Sequence, residues 1–180
     1  MNIWCIRLRS ARTVGSFQFM HEVNTSLGNA ISTSGASAQS SVVRDLAVLV
    51  ARIGIGVIFL AHGLQKLDNG YAATKAMFTT IDAPVPAVTS LLAIVIEVGG
   101  GAALILGLLT PLAGIALALN MLGAYLLVHM DSGLYVKDGG YEFVLALGVA
   151  SLLIAAVGAG RFSLDAILAD KVPALSRVLR

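Results

Sequence analysis

Four apolar stretches, each close to the length that crosses a lipid bilayer, dominate the chain beyond residue 41. They run over about 43–66, 87–109, 111–130 and 141–159. A helix rises about 1.5 Å per residue, so about 20 residues span the ~30 Å of hydrocarbon. Lipid offers no hydrogen bonds, so a chain that crosses it must satisfy its own backbone, and stretches of this length do so as helices. The composition agrees: 57% of residues are hydrophobic and 12% charged, against about 45–50% and about 25% in soluble domains. The expected fold is all-α, an integral membrane four-helix bundle.

Length and charge narrow the rest. With 180 residues the chain is read as one folded domain, over 42–168, and its net charge of +2 does not suit nucleic acid. The lone cysteine, Cys5, excludes an internal disulfide framework, a four-cysteine zinc site and a CxxC pair. Redox chemistry would have to come from a cofactor or a partner.

Residues 1–41 are rich in Ser, Thr, Asn and Gly, and their apolar runs are too short to span. They read as a disordered extension, with Met20 a candidate true start. Arg7, Arg9 and Arg12 precede the first acid, Glu22, which also leaves a transit peptide open. Residues 169–180 read as a C-terminal tail.

Thr110–Pro111 joins the second and third stretches so tightly that they must form an antiparallel hairpin. Thr suits an N-cap and Pro the first helical position. The longer link from Asp68 to Pro86 leaves room for a short interfacial helix around Ala72 to Phe78. Arg44, Arg161, Lys171, Arg177 and Arg180, with the arginines of the extension, flank one side, and Lys66, Lys75 and Lys137 the other. The positive-inside rule then places both termini in the cytoplasm.

Helices in lipid associate through small residues and buried polar groups. Gly56 and Gly63 share a face with Arg52, and Gly100 and Gly101 lie close to Glu97. A charge at the bilayer centre costs about 2.5–3.5 kcal/mol. Arg52 and Glu97 are therefore expected to pair with each other, either as a structural lock or, functionally, as a proton relay or the counter-charge of a bound head group; a neutral, protonated Glu97 is the alternative. His62, Lys66, His129 and Glu142 are expected at a common depth, as an outer-face polar cluster with Tyr125, Tyr135 and Tyr141 near the same level. The readings for its histidines and Glu142 are proton exchange or hydrogen bonding to a quinone, plain headgroup contact, and a metal site. No HxxxH or HxxE spacing supports the last, so no metal is assigned. Lys66 reads as a snorkelling anchor. Asn120 reads as a helix–helix hydrogen bond.

The order of these motifs resembles the DoxX family of small bacterial membrane proteins. The first helix reads Arg52-Ile-Gly54-Ile-Gly56-Val-Ile-Phe59-Leu-Ala-His62-Gly63-Leu-Gln65-Lys66-Leu67. Glu97 is followed by glycines and then by Gly107-Leu-Leu-Thr110-Pro111. His129 ends the third helix, Glu142 opens the fourth, and Gly158-Ala-Gly160-Arg161-Phe-Ser163-Leu164-Asp165 closes the pattern. The likeness covers roughly 43–168.

It implies a four-helix inner-membrane protein, associated in some members with thiosulfate–quinone oxidoreduction or with complexes that handle oxidative or thiol stress. The leading expectation is a non-catalytic subunit or anchor of a redox-linked assembly, with a quinone as the ligand to consider. A small proton-coupled permease gated by Arg52 and Glu97, and a scaffold without a small-molecule ligand, are the alternatives. Expected partners are membrane lipid, a redox protein and a second copy of the chain, but not nucleic acid.

Overall fold

The computed structural model describes residues 41–171. The expected N-terminal extension and most of the C-terminal tail lie outside them. The described residues are helical almost throughout: α1 (Ser41–Asp68), α2 (Tyr71–Thr80), α3 (Pro86–Leu106), α4 (Thr110–Ala124), α5 (Glu142–Val157) and α6 (Leu164–Lys171). A π-helical turn, Tyr125–His129, carries α4 on to His129.

Three of these helices, α1, α3 and α4 with its π-turn, are long and apolar enough to cross a membrane. The fourth apolar helix, α5, is shorter at 16 residues. The link between α1 and α3 holds the short helix α2, one residue beyond the expected start and two beyond the expected end. The tail expected from residue 169 begins inside a helix, because α6 continues to Lys171.

Burial runs opposite to that of a water-soluble domain. Leu91, Leu92, Leu112, Leu119, Leu152 and Leu153 are each at least half exposed, whereas Asp45, Arg52, Ser90, Glu97, Thr110, Ser151 and Asp165 are buried. Apolar side chains standing outward along whole helices need a solvent as apolar as themselves, and lipid is that solvent. The interior apolar contacts centre on Phe59, Leu104, Leu117, Met121, Leu147 and Ile154.

The glycines set the register. A Cβ on Gly101 would lie 2.7 Å from the Leu60 nitrogen and 2.8 Å from the Gly56 carbonyl oxygen. One on Gly63 would lie 2.8 Å from the Val98 nitrogen. The backbones of α1 and α3 therefore touch along an antiparallel seam that only a hydrogen at Cα permits. Gly114 of α4 plays the same part against α5, where its Cβ would meet the Ser151 carbonyl oxygen at 2.7 Å.

The α3–α4 hairpin is closed by glycine and by a distant acid. Gly107 takes a left-handed conformation (φ 67°), which lets Leu108 N–H bond Ala103 and Gly107 N–H bond Leu104. Leu109 is also left-handed (φ 48°). Thr110 does not cap α4 as its position suggests: its hydroxyl is buried and has no hydrogen-bond partner among the described residues. The first amides of the hairpin go instead to Asp165, whose two oxygens accept from Leu109 N–H (2.7 Å) and Thr110 N–H (2.9 Å). A carboxylate at a helix N-terminus satisfies orphan donors and the helix dipole together. This link ties the hairpin to α6.

Candidate functional site

The seam between α1 and α3 carries the site. Glu97 lies at the middle of α3, Asn120 near the middle of α4, and Lys66 in the last turn of α1. Lys66 Nζ donates to Glu97 Oε2, and Asn120 Nδ2 donates to Glu97 Oε1 at 3.1 Å. Both carboxylate oxygens are thus occupied, one by a cation and one by a neutral donor. The Glu97 side chain is 5% exposed and that of Lys66 22%, so the pair has an inner member and one member within reach from outside.

Glycine makes this contact. A Cβ on Gly63 would meet Glu97 and Val98, and without it α1 comes close enough for Lys66, three residues on, to reach the acid. Removing a charge from water and burying it with a partner costs less than burying it alone. The buried Glu97 and the half-buried Lys66 therefore hold α1 against α3, while Asn120 adds α4.

The expected Arg52–Glu97 pair is not formed. Gly56 and Gly101 touch, Arg52 lies one turn from Gly56 towards the α6 end, and Glu97 lies one turn from Gly101 the other way. In an antiparallel pair these offsets add, to about 12 Å at 1.5 Å per residue. Aligning the helices by the midpoints of their apolar stretches misses this shift. Lys66, expected as a snorkelling anchor, takes the place assigned to Arg52.

Arg52 is fully buried elsewhere. Its Nη2 donates to the Phe162 carbonyl oxygen at 2.7 Å, and its guanidinium lies where a Cβ on Gly107 would stand. Asp165 is the carboxylate whose charge acts on it. Among the described residues its Nε and Nη1 have no hydrogen-bond partner. Arg52, Gly107, Phe162 and Asp165 thus join α1, the α3–α4 hairpin and the segment leading into α6.

The expected outer-face cluster is not a set of mutual contacts. His62 packs against Phe143 of α5, with ring centroids 6.0 Å apart. His129 Nδ1 donates to the Gly139 carbonyl oxygen at 2.6 Å. Glu142 Oε1 accepts from Val136 N–H at 2.7 Å. The last two fasten both ends of the loop between α4 and α5. A common depth does not bring side chains together when nearer backbone groups satisfy them. Among the described residues no group of three or more His, Cys, Asp or Glu is placed to hold a metal ion.

Two acids were not singled out by sequence reasoning. Asp165 stands in the closing motif without a role that spacing reveals. Asp45 reads as an ordinary acid beside Arg44 at the start of a helix, yet it is 1% exposed. The signal was there in both cases, an acid bordering an apolar helix, but it is shared by many residues that simply face headgroups.

Helices that turn leucines outward, with a charged pair sealed between them, define a multi-pass membrane protein with a polar seam. Residues 47–130 match the pattern of the DoxX family. The chain is 32% identical over 129 residues to the inner membrane protein YqjF of Escherichia coli, an overlap of 72% of this chain and 97% of YqjF. It is 30% identical over 121 residues to the Bacillus subtilis protein named "Putative oxidoreductase CatD", across 67% of this chain and 86% of that one. The inner membrane protein YphA of E. coli is 27% identical over 127 residues, 68% of this chain and 90% of YphA. No solved structure matches the chain. The chain belongs to the DoxX family and is a multi-pass inner-membrane protein.

Proposed function

We propose that this protein is the membrane subunit of a redox-linked assembly, and that the Lys66–Glu97–Asn120 cluster exchanges a proton with a quinone-type acceptor in the bilayer. The observation that carries the reading is the cluster itself: an ionisable couple between spanning helices, with Glu97 buried and Lys66 and Asn120 partly exposed to an approaching molecule. Buried membrane charges cost enough that they are kept mainly where they act. A quinone taking up two electrons from a partner protein also needs two protons, and Lys66 is a donor that Glu97 and Asn120 hold in place. His62, one turn before Lys66 and exposed beside Phe143, supplies a second polar group at that edge. The relative named as an oxidoreductase supports the same reading.

The reading takes α5 as a fourth crossing, which completes a four-helix bundle with both termini cytoplasmic, as the arginine-rich flanks favour. Thermal unfolding of detergent-purified protein tests the ligand. Short-chain quinones should raise the melting temperature of the wild type and not that of Glu97→Gln. No shift over a wide concentration range would sink the quinone reading. Proton flux in proteoliposomes without any quinone, lost in Glu97→Gln, would transfer the cluster to a permease.

A further inference from the structure

At the opposite end of α1 a pocket of about 530 Å³ opens between the first turns of α1, the end of α5 and α6. Asp45 lies in its wall, 1% exposed, and among the described residues neither of its oxygens has a hydrogen-bond partner. The nearest cations stand off: Arg44 Nη2 is 3.6 Å from Oδ1 and Arg161 Nε is 3.9 Å from Oδ2. Both are too far for a hydrogen bond, and both arginine side chains are at least 70% exposed. A buried carboxylate that accepts nothing is costly unless something donates to it.

The chemistry around Asp45 defines the donor. Arg44 and Arg161 at the rim suit a phosphate, which guanidinium groups bind well. A simple anion does not suit the pocket, because Asp45 and Asp170 also line it, and Asp165 does so with its oxygens already taken by amides. A group with an N–H-bearing cation and a phosphate a few bonds apart answers both demands: the ammonium meets Asp45 while the phosphate meets the arginines. The pocket lies where apolar α5 has ended and exposed arginines begin, the level at which headgroups stand.

We propose that this pocket binds the headgroup of an aminophospholipid of the phosphatidylethanolamine type, with its ammonium donating to Asp45 and its phosphate held by Arg44 and Arg161. The site is separate from the Lys66–Glu97 seam and does not depend on the redox reading. Choline lipids carry the same charges but no N–H, and glycerol lipids offer hydroxyl donors but no cation, so neither gives Asp45 a charged donor.

The test reconstitutes the full chain in nanodiscs of equal mixtures and reads the lipids retained on it by native mass spectrometry. Wild type should retain phosphatidylethanolamine over phosphatidylcholine by about tenfold, the equivalent of one charge-assisted hydrogen bond at about 1.4 kcal/mol. Asp45→Asn should bring that ratio close to one. Arg161→Gln, at an exposed position that does not threaten folding, should lower retention of both lipids together. Equal retention of the two lipids by wild type, or a preference unchanged in Asp45→Asn, would overturn the proposal. So would full competition by millimolar glycerophosphoethanolamine, which would make the ligand a soluble phosphoamine and not a lipid.

Discussion

Lys66 and Glu97 pair across the α1–α3 seam three residues beyond the point where Gly63 lets the two backbones touch. The glycine and the ion pair are therefore one device, and separating their effects is the first task. Glu97→Gln leaves Lys66 without its counter-charge. Breaking a fully buried pair costs about 3–5 kcal/mol, and the partial exposure of Lys66 reduces this to about 2–3 kcal/mol. The double change Lys66→Met with Glu97→Gln should recover much of that loss. Thermal unfolding of Glu97→Gln, Lys66→Met and the double variant in detergent checks this, and a double variant as unstable as the sum of the singles would contradict the pairing.

The glycines should sort by what faces them. Gly101→Ala drives a methyl into the α1 backbone and should cost about 1–3 kcal/mol. Gly54→Ala meets nothing within 4 Å and should be neutral or gain up to about 1 kcal/mol. Equal melting temperatures for the two variants would mean that α1 and α3 do not approach as described.

Asp165 joins α6 to the α3–α4 hairpin. Asp165→Ala strips acceptors from the Leu109 and Thr110 amides at once and should cost about 2–4 kcal/mol. Asp165→Asn keeps one acceptor oxygen and should lose about half as much. Hydrogen exchange of those two amides is the readout: both should be slow in wild type and fast in Asp165→Ala.

Gly107 occupies the place of a side chain that would collide with Arg52, in a left-handed conformation. Gly107→Ala should therefore cost about 1–2 kcal/mol for the backbone alone, plus the displacement of the guanidinium. Combining it with Arg52→Met should relieve the second part. Strictly additive losses would show that the two residues are not in contact.

Much of the helical layout was legible in the sequence, because the apolar stretches have one physical meaning and Pro86 and Pro111 mark where helices start. The stop at Gly107 was not legible: the second stretch runs on to 109, whereas α3 ends at Leu106. Glu97 and Arg52 were legible as buried groups and Asn120 as a helix–helix contact, since an ionisable or amide side chain within an apolar span faces other helices. Their partners were not. Pairing depends on how far α1 slides along α3, and that shift is set by which glycines meet, Gly56 with Gly101 and Gly63 with Val98, a fact of three dimensions. Asp45 and Asp165 escaped notice for a similar reason: the turn beside Asp45 and the hairpin amides that hold Asp165 are distant in sequence and contribute no periodicity of their own.

Photolabelling shows whether the Lys66 edge of the seam receives a quinone. A short-chain azidoquinone is irradiated with the full chain in nanodiscs, and the modified peptides are mapped by mass spectrometry. A quinone bound there leaves label on α1 around His62 to Lys66 and on the facing part of α3 and α4, competed by unmodified quinone and lost in Glu97→Gln. Label confined to other helices, or label at this seam that neither competitor nor Glu97→Gln removes, would contradict it.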